Sequence, residues 1–142
     1  MPRQARRVLP WLEERAASLK ESELRALVLA CGLPAGEVNA DVFHRGRRIA
    51  ITDLLFRAWG VAVEYEGRQH AETAEQFQRD IARYADLRAA GIEYVQVTQE
   101  MLAQPRALMM RIYDVLRQRG YPGPAPQFGP RWDALFRRLS GS

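Results

Sequence analysis

Asp53, Glu64, Glu66 and His70 fall close together in the sequence, and carboxylates grouped with a histidine do acid–base work or hold hard cations. Arg47 to Phe56 and Val61 to Glu66 both read as strands, joined by a turn at Ala58-Trp59-Gly60. Side chains alternate between the two faces of a strand. Ile49, Ile51, Asp53 and Leu55 therefore share one face, and Ala62, Glu64 and Glu66 share one face of the next strand. With Ala58-Trp59 as a two-residue loop, Arg57 pairs with Gly60 and Asp53 stands opposite Glu64. Like charges directly opposite destabilise a sheet. An unpaired carboxylate between Ile51 and Leu55 is costly as well. Something must compensate. An arginine can do so, and so can a hard divalent cation, which takes one or two carboxylates together with water and substrate phosphate. His70 follows the Gly67 turn beside these acids, and Arg68 and Arg79 flank them, where phosphates would lie.

The elements around this group follow from caps and periodicity. Ser18-Leu19-Lys20-Glu21 reads as a capping box. It opens a helix with Leu24, Leu27, Val28 and Cys31 on one stripe, ended by Gly32 and Pro34. A weaker helix precedes it, around Trp11 to Ala17. Asn39 to His44 is a short strand, with Arg45-Gly46 as a turn. Gln76 lies three residues after Thr73, a second capping box. The helix after it carries Phe77, Ile81, Tyr84 and Leu87 on one side, with Gly91 past its end. Asp80, beside that stripe, is expected to pair with Arg83 or to cap a neighbouring element. Ile92 to Thr98 is a fourth strand, and Pro105 starts a helix with Leu108, Ile112, Val115 and Leu116 inward. The order α-β-β-β-α-β-α predicts an α/β fold with a mixed four-stranded sheet flanked by helices. Its third and fourth strands are parallel, because a helix joins them.

Residues 120–142 form a Pro/Gly-rich linker and a short amphipathic C-terminal helix carrying Trp132, Leu135, Phe136 and Leu139. So short a helix must dock, on its own domain or on a partner such as a second copy. Residues 1–119 make one domain, with 1–17 as an N-terminal helical extension.

Composition narrows the class. The 142 residues contain no apolar run long enough to span a membrane, and no apolar segment follows the basic start Met1–Arg7. Cytoplasmic location is the default expectation. Cys31 and two histidines, His44 and His70, are too few for a Cys/His zinc site, so no zinc is expected. The net charge is +4 and the pI about 9.7, which makes nucleic acid the first partner to consider. Lys20 is the only lysine among 21 cationic residues, however, and such skew also arises from genome composition.

The strings ITDLLF, VAVEYEGRQH and FQRDIARYADLRAAGIEYVQVT, with ESELRALVLACGLP upstream, resemble the Vsr-like branch of the PD-(D/E)XK nuclease superfamily. The resemblance is closest to small bacterial domains related to the very-short-patch-repair endonuclease, and it covers about residues 18 to 119. It implies a restriction-endonuclease-like fold and metal-dependent hydrolysis of DNA phosphodiesters. By the same resemblance Asp53 and Glu64 hold Mg²⁺ or Mn²⁺, with the backbone carbonyl of Tyr65. Glu66 or His70 orients or deprotonates the attacking water, or His70 protonates the leaving oxygen, and Glu21 acts through a metal-bound water. Arg68 and Arg79 meet the DNA backbone. The sequence departs from the family in two ways: the motif lysine is absent, and Glu66 stands where relatives usually have aspartate. The family also includes domains that follow an abortive-infection-type antitoxin or regulatory region. A catalytically inactive DNA-binding or regulatory module is therefore the alternative reading.

Overall fold

The computed structural model describes residues 20–66 and 73–140. Helix α1 (residues 20–30) leads into strands β1 (Glu37–His44) and β2 (Arg47–Phe56), and a 3-10 turn at Arg57–Trp59 precedes β3 (Val61–Tyr65). Then come α2 (Ala74–Ala89), β4 (Glu93–Val97), the single turn α3 (Gln99–Leu102), α4 (Pro105–Gln118) and α5 (Pro130–Ser140). The four strands form one mixed sheet in the order β1-β2-β3-β4, antiparallel twice and then parallel. The α/β class and the mixed sheet are as expected. The expected helix at Trp11–Ala17, the rest of the 1–17 extension, Ser18, Arg68 and His70 lie outside the described residues. Among the described residues, no helix is long and apolar enough to cross a membrane.

Each face of the sheet has its own core. Val61 and Val63 pack with Leu24, Leu27 and Val28 of α1 and with Leu108, Met109, Ile112 and Leu116 of α4. Ala62, between them in sequence, belongs to a smaller cluster with Leu55 and with Leu87 of α2. Of the two places open to the C-terminal helix, its own domain takes it, because Trp132 and Leu135 are buried in the larger core. The Pro/Gly stretch before it is tied back where the Gln127 amide donates to the Cys31 carbonyl at 2.9 Å.

Three local expectations change. The apolar stripe of α2 is only half used. Tyr84 and Leu87 pack on the sheet, while Phe77 and Ile81 remain about half exposed, at 54% and 46%. The shared face drawn for β2 also fails, since Ile51 is exposed and Leu55 is buried. Ala50 and Leu55 pack in one cluster although they are five residues apart, so alternation breaks between them. Across the ladder, Asn39 of β1 takes the left-handed region at φ 49°, and a bulge follows between Val42 and Phe43.

The third change is the connection from β2 to β3, which is a 3-10 turn closed by Gly60 at φ 63° rather than a two-residue loop. A Cβ on Gly60 would stand 2.9 Å from the Gly91 carbonyl oxygen, so both conformation and close packing require glycine there.

Candidate active site

The β2–β3 ladder pairs Phe56 with Val61, Leu55 with Ala62 and Leu54 with Val63. The same register carried one step further sets Asp53 against Glu64, as the sequence reading has it. Backbone pairing stops there. Instead, Asp53 Oδ2 accepts the Tyr65 N–H at 2.8 Å, while β3 stays paired to β4 through Tyr65 and Val97. The Asp53 side chain thus takes the place of a strand partner where β2 and β3 part.

Helix α1 brings a third acid to this point. Glu21 and Asp53 line one cleft of about 150 Å³ with Ser22, Leu24, Arg25, Val38, Asn39 and Leu54. Burial pushes the Glu21 carboxyl above the usual carboxylate range. The charge of Asp53 beside it and the charge of Glu64 push it the same way. Among the described residues, neither Glu21 nor Asp53 has an ion-pair partner.

Glu64 is in a different position. Its Oε1 pairs with Arg83 of α2, and its Oε2 accepts from the Tyr94 hydroxyl at 3.3 Å. Arg83 also donates to the Ile51 carbonyl at 3.2 Å, and the Tyr94 ring stacks on Tyr84 with centroids 4.6 Å apart. Burial raises the Glu64 pKa and the Asp53 charge adds to it, while Arg83 and Tyr94 pull against them. Burial is also what pushes the Tyr94 hydroxyl pKa up most strongly. Arg83 therefore pairs with Glu64, and not with Asp80 as the helix spacing had suggested.

The other expected residues are less engaged. Tyr65 meets Asp53 through its N–H, whereas the atom expected to bind metal is its carbonyl. Glu66 lies just past the end of β3, where its N–H donates to the Val97 carbonyl at 2.8 Å. Arg79 is exposed on α2 and, among the described residues, pairs with none of the acids.

The residues that sequence reasoning missed are Arg83 as the partner of Glu64, and Tyr94. A signal for Tyr94 existed. The parallel register pairs Ala62 with Tyr94 and Glu64 with Gln96, and alternation then puts Tyr94 on the face of Glu64.

In the described residues no three His, Cys, Asp or Glu side chains are disposed to hold a metal ion. Arg83 and Tyr94 engage both oxygens of Glu64, the acid next to Glu21 and Asp53. The Glu21–Asp53 pair is all oxygen, and no described side chain forms an ion pair with it, which is a donor chemistry suited to a hard divalent cation.

No family model matches the chain, and no solved structure matches it with significance. Two uncharacterized proteins of Mycobacterium tuberculosis are similar to it: MT2308 of strain CDC 1551 / Oshkosh and Rv2248 of strain ATCC 25618 / H37Rv. Each is 34% identical over 110 residues, which is 76% of this chain and 40% of the relative. The chain thus spans well under half the length of the curated relatives it matches.

Proposed function

We propose that the protein is a metal-dependent DNA endonuclease of the cytoplasm, built on a restriction-endonuclease-like sheet and serving DNA repair, mobile-element or phage-defence reactions. One observation carries this reading: Glu21 and Asp53, from separate elements, line one cleft beside Glu64, and among the described residues no side chain forms an ion pair with either. Two like charges drawn together are a cost to the fold, and a bound cation removes it. Asp53, Glu21 and, once freed, Glu64 would hold Mg²⁺ or Mn²⁺. The metal when bound polarises a phosphoryl oxygen and lowers the pKa of water. The chain itself supplies the rest. Asp53 is oriented by the Tyr65 N–H, and Glu66 stands at the adjoining strand end, where a water could be positioned. Exposed arginines such as Arg79 hold the DNA backbone without reading sequence.

A second reading keeps DNA binding and gives up catalysis. The ion pair of Glu64 with Arg83 favours it, because an arginine there already satisfies an acid that catalysis would need. The absence of the motif lysine points the same way.

The test is a divalent-ion titration with plasmid and oligonucleotide substrates, with DNA binding measured in parallel at several salt concentrations. Cleavage that depends on Mg²⁺ or Mn²⁺ is expected, with affinity falling steeply as salt rises. Binding without cleavage under any divalent ion would replace the nuclease by the regulatory module.

A further inference from the structure

This inference rests on the metal-binding reading above. We propose that Arg83 is an internal counter-ion that competes with the divalent cation for Glu64, so that full metal coordination requires the Arg83–Glu64 pair to open. The contacts set the two arrangements in competition. Each Glu64 oxygen already has a partner, one Arg83 and the other Tyr94. A cation drawing on Glu64 together with Asp53 and Glu21 shares that carboxylate with a guanidinium of like charge, and binding it fully favours release of the arginine. The guanidinium also lies next to the place a divalent ion would fill, and like charges repel strongly at a half-buried site.

Arg83 does useful work in the metal-free protein. Glu64 is largely buried, its side chain only 15% exposed, and it stands beside Asp53. Without a counter-ion that carboxylate would be unpaired and desolvated. Arg83 gives it a charged partner and holds it in place beside Asp53. The second anchor, the Ile51 carbonyl, keeps the arginine near the site after Glu64 lets go. Because α2 carries Arg83 over the sheet, metal uptake is coupled to a small movement of one side chain and not to unfolding. The consequence is a threshold: the site fills at a higher free metal concentration than its three acids alone would set.

Calorimetric titration of the full chain with Mn²⁺, at fixed pH and ionic strength, tests this on wild type, Arg83→Gln and Glu64→Gln. Competition predicts that Arg83→Gln binds about tenfold more tightly, a change of about 1.4 kcal/mol, and that Glu64→Gln binds more weakly. Should the glutamine variant not fold, Arg83→Lys takes its place. It keeps the charge but gives up the planar fork, and should tighten binding about threefold. Wild type that binds no metal while Arg83→Gln does would be the strongest support. Equal affinities for wild type and the Arg83 variants would overturn the proposal while leaving the metal site standing. That result would make Glu64–Arg83 a permanent structural pair beside a two-carboxylate site. Absence of binding in wild type and every Arg83 variant would instead remove the metal-binding reading itself.

Discussion

The Glu21–Asp53 pair and the Glu64–Arg83–Tyr94 group lie side by side, yet they solve the problem of acids in a partly buried place in opposite ways. In the second group every carboxylate oxygen has a donor, one of them cationic. In the first, two carboxyl groups lean on each other, and the one donor described is a backbone amide, from Tyr65 to Asp53. A site kept only for structural reasons would be expected to resemble the second arrangement throughout. The contrast locates where an external cation gains most, and it separates acids that support the fold from acids that burden it.

Asp53 is the most sensitive position of the acid cluster. Asp53→Asn keeps an acceptor for the Tyr65 N–H and removes one of two repelling charges. Cleavage should fall by at least about 100-fold, because the metal both activates water and polarises phosphate. The metal-free variant should melt at the wild-type temperature or above it, with relief of about 0.5–1 kcal/mol. Mg²⁺ should then add no stability. Retained wild-type cleavage would falsify the role given to Asp53.

Glu64→Gln and Glu21→Gln should change metal-free stability in opposite directions. The first leaves Arg83 without a counter-ion and should lower metal-free stability by about 1–2 kcal/mol, solvent screening having reduced a fully buried penalty. The second removes a repulsion and should leave stability unchanged or higher. Urea titrations in EDTA measure both, and equal losses in the two variants would erase the distinction.

The smallest effect is a pH slope. The folded pKa values of Glu21 and Glu64 are raised, so their ionisation penalises the folded state at neutral pH. That penalty disappears as pH falls through the raised values toward the ordinary one. Stability in EDTA should therefore rise on mild acidification, before Glu37, whose pKa is lowered by Arg57, works in the other direction. Glu21→Gln should flatten the rise, and an unchanged slope in that variant would show that Glu21 is not a source of it.

Much of this frame was readable from residue order. The Arg45-Gly46 turn fits type I′ geometry, with φ of 52° and 77°, and it fixes the β1–β2 hairpin. The register of β2 on β3 survived a change of turn type, because the 3-10 turn and Gly60 together return the chain to the pairing a tight loop would give. Rotation of α2 about its own axis was not readable. Phe77 and Ile81 look as apolar as Tyr84 and Leu87, but only the latter two reach the sheet, and this choice decides that Arg83 falls on Glu64. The approach of Glu21 to Asp53 depends on how α1 docks across the large core, a long-range packing result that no local pattern encodes.

The left-handed Asn39 has a consequence for how the molecule behaves among its copies. Among the described residues β1 pairs with β2 alone and so is an edge strand, and a long straight edge is a template on which another chain can add a strand. Its exposed Val38 and Phe43 would favour such growth. Asn39 at one end and the bulge before Phe43 at the other bend the edge out of register, and charged Glu37 and Asp41 stud it between arginine partners. The irregular backbone that borders the acid cleft therefore also makes β1 a poor template for strand addition at its edge of the sheet.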